Sequence, residues 1–256
     1  MRLRNALARL ALLAVLPALL GACGSLIVTQ RSLAYLEGRT GFEWRSRAAD
    51  GFVVHVEADS ATEPDHERIL AAAREARGSV LAYLGEPTYE PVVHVFAVDD
   101  RARMRALIGR ETNAMAYYRS NSLCLVWPRS GRSGVHHELL HVVAMNRWGV
   151  PERWVNEGAA VDATGDWLGG DLRDACRRLR EAGELPALSR ITRGFGRLPS
   201  ARSYPAAGSF VRYLRETHGR DALRAVWQRG RNALREVTGL GPDELEAAWL
   251  RYLDAP

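Results

Sequence analysis

Residues 137–141 read His-Glu-Leu-Leu-His, and Glu157 follows sixteen residues after the second histidine, within Trp154-Val155-Asn156-Glu157-Gly158. On an α-helix, positions four apart differ by about 40° around the axis and one turn along it, so His137 and His141 point the same way. Zinc accepts neutral imidazole nitrogen and carboxylate oxygen, and a catalytic zinc keeps one position open. Glu138, directly after the first histidine, stands where a general base is needed in such an arrangement. His136 is a poor substitute for His137, because five residues to His141 is about 140° of rotation. His137, His141 and Glu157 are therefore candidate ligands of Zn²⁺, with Glu138 as the candidate base. The plain alternative is a polar helix face, and a downstream Asn-Glu-Gly at this distance weighs against it.

These residues need two helices and a tight turn. The helical pattern that carries the histidines runs to about Arg147. Gly149 and Pro151 then make a stop and a start. A second helix beginning near Pro151 carries Glu157 on its second turn, which brings the carboxylate back toward the first helix.

The rest of the chain reads as α+β, a small sheet first and helices after. Strands are expected over 52–56 and 91–96, and a strand pair over 114–127 around a turn at Asn121. Helical periodicity covers 63–84 through Ile69, Ala72, Ala76, Val80 and Leu84. Asp99 or Asp100 can cap a helix that reaches about Ile108. Beyond the candidate metal site, helices are expected over 172–184, 204–218, 220–236 and 242–253, with a Gly- and Pro-containing loop before Pro199. There is no internal repeat.

The N-terminus has the layout of a targeting segment. Arg2, Arg4 and Arg9 precede an apolar run over 11–20, too short for a comfortable membrane span. Leu20-Gly21-Ala22-Cys23 resembles a bacterial lipobox, which implies a lipoprotein signal peptide over 1–22, a lipid on Cys23 and a membrane-anchored, exported protein of the cell envelope. Gly24 in place of Asp favours the periplasmic face of the outer membrane over the inner. Residues 23–45 then form a short tether that can carry some helix, and 46–256 a single domain, long enough to bury a sizeable core.

All 35 basic residues are Arg, and they face 30 acidic ones. Removing the three arginines of the signal segment leaves a charge near neutral. No basic stripe interleaved with aromatics is present, so nucleic acid is not an expected partner. Cys124 and Cys176 are either a disulfide, allowed in an oxidising compartment, or two buried free thiols. Neither lies beside a nucleophile constellation.

Four stretches together resemble the gluzincin metallopeptidases of the zincin superfamily, in particular the compact peptidase MA-like group. They are Met115-Ala116-Tyr117-Tyr118 through Leu125-Val126-Trp127-Pro128; the His137–His141 motif; Trp154-Val155-Asn156-Glu157-Gly158-Ala159-Ala160; and Tyr204 with Ser209-Phe210-Val211-Arg212-Tyr213-Leu214 and His218-Gly219. The resemblance implies a zincin-like domain that hydrolyses peptide bonds with Zn²⁺ held by His137, His141 and Glu157. It also implies a donor to the oxyanion, for which Tyr204 is the candidate ahead of Tyr117 and Tyr118; packing on the core is the alternative for Tyr204. One position departs from the family pattern. Relatives often carry an acid four residues after the glutamate ligand, where it hydrogen-bonds a zinc-bound histidine. Here that position is Val161, and Asp162 is the nearest candidate to replace it.

Three functional classes follow. The first is a zinc-dependent peptidase acting on peptide or protein substrates in the cell envelope, with the strands before residue 128 offering an edge to an extended peptide. The second is a degenerate zincin, a lipid-anchored binding or scaffolding protein, kept open by Val161 and opposed by the intact Glu138. The third is a zinc hydrolase with a non-peptide substrate, since fold does not fix substrate. His218 beside Gly219 reads as a helix-terminal residue. His55 and His94 read as packing or surface residues. Trp127, Trp148, Trp154 and Trp167 are either cleft-lining or core.

Overall fold

Alternation in Phe52-Val53-Val54-His55-Val56 gives a strand two different faces, and this sheet covers both. In the computed structural model, which describes residues 30–167 and 169–255, the chain begins with α1 (Leu33–Glu37), β1 (Trp44–Ala49) and β2 (Phe52–Glu57). There follow α2 (His66–Leu84), β3 (Val93–Val98), α3 (Arg101–Ile108), β4 (Ala114–Tyr117) and β5 (Ser122–Val126). The sheet order is β1-β2-β3-β5-β4. β2, β3 and β5 are parallel, while β1 and β4 pair antiparallel at the two edges. The fold is α+β with a small mixed sheet ahead of a helical half. The lipobox, Cys23 and the signal segment lie outside the described residues.

Central strands covered on both sides read as nearly continuous apolar runs. Every residue of β5 is buried. In β3, Val93, Val95 and Ala97 face one core and Phe96 and Val98 the other. The first core lies under α2 and the helical half; the second is closed by α1 and α3 through Leu36, Met104, Leu107 and Ile108.

The expected tether is, from residue 30 onward, part of this second layer. Leu36 is fully buried, and Trp44 Nε1 donates to its carbonyl at 3.2 Å. Burying one leucine contributes roughly 1.5–3 kcal/mol, and Leu33 and Tyr35 of the same five-residue helix pack, partly buried, on the same core. β1 was not expected from the sequence, and its pattern explains why: Arg45, Ser46, Arg47 and Ala48 are exposed, so no apolar alternation marks it. Asp100 caps α3 by accepting from the Arg103 N–H at 2.8 Å, and Asn121 turns β4 into β5 with φ of 46°.

The helical half begins with α4 (Gly131–Trp148) and α5 (Arg153–Thr164). A short hairpin of β6 (Asp166–Trp167) and β7 (Gly170–Asp171) precedes α6 (Leu172–Glu181) and α7 (Leu188–Gly194). α8 (Ser200–His218), α9 (Arg220–Arg229), α10 (Leu234–Thr238) and α11 (Pro242–Asp254) complete the chain. α7 occupies what was expected to be loop, and the expected single helix over 220–236 is split by a 3₁₀ turn at Gly230–Ala233. α5 is buried without interruption from Trp154 to Asp162. A helix buried on all sides belongs at the centre of a packed layer, and α5 lies between α4 and α8.

The α5–α8 approach depends on two glycines. A Cβ on Gly158 would stand 2.7 Å from the Ala207 carbonyl oxygen, and one on Gly208 would stand 2.6 Å from Val161 Cγ1. Val161 is thus taken up by helix packing.

Candidate metal centre

His137 and His141 lie one turn apart on α4, with ring centroids separated by 4.8 Å and planes at 86°. α4 ends at Gly149, whose φ of 90° suits glycine. The four residues from Gly149 to Glu152 reverse the chain into α5. Trp227 Nε1 holds this turn by donating to the Gly149 carbonyl at 2.7 Å. Trp154 Nε1 donates to Glu152 at 2.7 Å on the α5 side. Glu157 then sits on the second turn of α5 and faces α4.

Glu157 Oε2 lies 3.4 Å from His137 Nε2 and 3.6 Å from His141 Nε2. Donors about 2.0–2.1 Å from a tetrahedral zinc stand roughly 3.3 Å apart, so the two carboxylate–imidazole edges match that polyhedron, and all three atoms lie within 4.8 Å of one another. The separations are too long for good hydrogen bonds, and Glu157 Oε2, though buried, has no hydrogen-bond partner. A buried carboxylate oxygen left in this state is costly; a divalent cation among the three atoms would satisfy it. Glu157 and His141 are almost wholly buried, while the His137 side chain retains 18% exposure and marks the solvent side.

Burial alone would push the Glu157 carboxyl up, but the two imidazoles outweigh it and hold the group at about 2. Burial works the other way on His141, and there the carboxylates of Glu157 and Glu138, with Asn156, raise its value instead.

Asn156 was quoted with the motif but given no role by the sequence. Its Oδ1 lies 3.0 Å from His141 Nδ1. An amide oxygen only accepts, so Nδ1 carries the proton and Nε2 keeps its lone pair toward Glu157. The task expected of an acid at 161 or 162 is done from the position just before the glutamate. Asp162 does not replace that acid. It is buried between Arg212 Nε at 2.9 Å, Arg215 Nε at 2.8 Å and the Tyr83 hydroxyl at 2.9 Å.

Glu138 is fully buried beside the ligand atoms, and its Oε2 has no hydrogen-bond partner. Burial raises its pKa, and the Glu157 charge adds to this; His137, His141 and a backbone hydrogen bond from Ala116 act against it. Ala116 belongs to β4, the edge strand among the described residues, so the candidate base stands beside a strand edge. Asn146 ties α4 to the β4–β5 turn, donating to the Tyr118 carbonyl at 2.8 Å and to Asn121 Oδ1 at 3.1 Å.

No protein-family model matches the chain, and no curated protein matches it.

The other candidates fall away from this centre or into the core. Tyr117 is buried in the second core, on the opposite face of the sheet. The Tyr118 hydroxyl accepts from Arg119 Nε at 3.1 Å. Tyr204 lies on α8, its ring packed against Phe195 and Trp167 at centroid distances of 5.4 and 6.1 Å. Trp127, Trp148 and Trp154 are core residues, each with its indole N–H bonded to a carboxylate. His218 ends α8 near the Tyr213 hydroxyl, as a helix-terminal residue would. Cys124 and Cys176 are free, buried and in separate cores. His55 and His94, expected to be unrelated packing or surface residues, meet each other across β2 and β3.

Proposed function

We propose that this chain is a zinc-dependent metallopeptidase. The observation that carries the reading is the convergence of His137 Nε2, His141 Nε2 and Glu157 Oε2, the last buried and without a hydrogen-bond partner, next to the unpartnered oxygen of Glu138. Two imidazoles and one carboxylate are a donor set of catalytic zinc sites, which leave a position for substrate or water. When bound, zinc supplies Lewis acidity, polarising a carbonyl and making a nearby water more acidic.

The chain's own residues do the rest. Asn156 orients His141 and fixes its tautomer. Glu138 takes the proton of the attacking water and delivers it to the leaving amine, and a carboxyl whose pKa is raised by burial is suited to both halves of that transfer. Among the described residues β4 pairs only with β5. Its free edge can take an extended peptide as an added strand, which runs the substrate past Glu138. The oxyanion needs a donor besides the metal, and Tyr204, on the helix packed against α5, is the candidate. With Tyr204→Phe, a fall in turnover of about 10²–10³-fold assigns it that role; unchanged turnover makes it a core residue.

The lipobox-like segment supports placement at the cell envelope through a lipid on Cys23, where envelope proteins or peptides would be the substrates. Among the described residues no helix is long and apolar enough to cross a membrane.

A second reading, a metal-holding binding protein without turnover, draws on one observation. His141 is oriented by a neutral amide and not by a carboxylate, which leaves its imidazole less basic. Hydrolysis of a mixed peptide pool by the zinc-loaded protein separates the two. The peptidase reading requires cleavage that Glu138→Gln lowers by about 10²–10⁴-fold with zinc retained. Cleavage equal in the two proteins, or none in either, contradicts it.

A further inference from the structure

On the face of the sheet opposite the candidate metal centre, three ligand-type side chains from three separate elements converge. Glu37 is the last residue of α1, His55 lies on β2 and His94 on β3. His55 Nε2 is 3.0 Å from His94 Nδ1, and His94 Nδ1 is 4.0 Å from Glu37 Oε1. One ligand atom from each falls within 4.8 Å of the others. The other ring nitrogen of His55 lies 2.8 Å from Ser46 Oγ, on the paired position of β1.

We propose that Glu37, His55 and His94 form a second site for a divalent transition-metal ion, zinc in the first instance, which ties α1 to the sheet. Two imidazoles and one carboxylate suit zinc, nickel or copper over magnesium or calcium. With Ser46 accepting the Nδ1 proton of His55, Nε2 is left as the ligand atom, the same division of labour that Asn156 imposes on His141. The 3.0 Å separation of the two imidazole nitrogens is an N–H···N hydrogen bond without metal. It needs to open by only about 0.3 Å to become an edge of a tetrahedral zinc site. The Glu37 side chain keeps 45% exposure, which gives an ion a path in from solvent.

The site also answers a packing question. α1 has only five residues, and Leu36 is its one buried side chain. The face it lies on is apolar at Phe96 and Leu36, yet carries two imidazoles, His55 buried and His94 half-buried, whose rings stack at 13°. A metal bridging that pair to Glu37 would fix the C-terminal end of α1, adding to Leu36 and to the partly buried Leu33 and Tyr35 that pack on the same core.

The test uses the full chain with the centre on α4 and α5 disabled by His137→Ala and Glu157→Gln. Titrated with zinc alone and followed by equilibrium dialysis, this variant should bind about one ion per chain, with a rise in melting temperature. Adding His94→Gln should abolish binding while the far-ultraviolet spectrum stays the same. Should that variant fold poorly, Glu37→Gln, at an exposed position, should weaken binding by about 10–100-fold. A folded double variant that binds no zinc, or binding unaffected by the His94 or Glu37 change, overturns the site. Failure of the α4–α5 centre gives a different result: the unaltered chain would bind zinc that His94→Gln removes and Glu157→Gln does not.

Discussion

Asn156 Oδ1 accepts the Nδ1 proton of His141 at 3.0 Å, across the turn that joins α4 to α5. The residue beside it, Glu157, presents its carboxylate to the other nitrogen of the same ring at 3.6 Å. Two neighbouring residues of one helix thus address both nitrogens of one imidazole, and the tautomer follows from which of them can only accept.

Asn156→Ala should therefore weaken zinc binding by about 10–100-fold without removing a ligand, and Asn156→Asp should retain or strengthen it. Competition against a chromophoric chelator reads both. Equal affinity in all three proteins would mean that the hydrogen bond does not position the ring.

Val161 occupies the position where relatives of the resembled family carry an acid, and a Cβ on Gly208 would stand 2.6 Å from its Cγ1. An acid placed there would be buried against α8 with no partner. Val161→Asp should destabilise the protein by at least about 2 kcal/mol and leave zinc affinity no better than before. Gly158→Ala, which drives a methyl against the Ala207 carbonyl oxygen, should cost about 1–3 kcal/mol. Chemical denaturation measures both, and a Val161→Asp protein of full stability with tighter zinc would contradict the packing account.

Asp162 is buried between two guanidiniums and the Tyr83 hydroxyl. Removing one partner of a buried ion pair costs roughly 3–5 kcal/mol, because the other charge is left uncompensated. Asp162→Ala should show a loss of that order in denaturation, while zinc stoichiometry at neutral pH stays the same. Loss of zinc from the still-folded variant would return Asp162 to the metal centre.

A pH effect is expected at Asp65. Burial would raise its pKa, but the Trp127 indole N–H and the Arg68 guanidinium outweigh this and hold the carboxyl below its ordinary value. The folded state thus binds fewer protons than the unfolded one through the acid range. The contribution is present above the unfolded value of about 3.9 and is lost as pH falls through the folded value. Asp65→Asn keeps an acceptor for Trp127 but loses the charge. Its melting temperature should lie below the parent's at neutral pH, and the gap should close in acid. A gap independent of pH would contradict the assignment.

Legibility in the sequence followed the locality of each interaction. Four-residue spacing placed His137 and His141 on one face, the Gly149 and Pro151 signals placed the turn, and Asn121 and Asp100 announced a hairpin and a cap through their own backbone chemistry. β1 was hidden because four successive residues of this edge strand are exposed, which leaves no apolar alternation; some helix was expected in the tether, but one buried leucine makes no period that would place α1. The role of Asp162 stayed open because its partners lie at Tyr83, Arg212 and Arg215, distances along the chain that no local pattern reports. Cys124 and Cys176 stayed ambiguous for the same reason: the sheet separates them. The meeting of His55 and His94 required the parallel register of β2 on β3, which periodicity within either strand does not supply.

The central claim is that His137, His141 and Glu157 together hold a metal ion. Zinc content measured on folded protein in a His94→Gln background isolates that centre. The account predicts about one zinc per chain, and none once Glu157→Ala is added. A folded His94→Gln protein without zinc, or a Glu157→Ala derivative that keeps its ion, would contradict it.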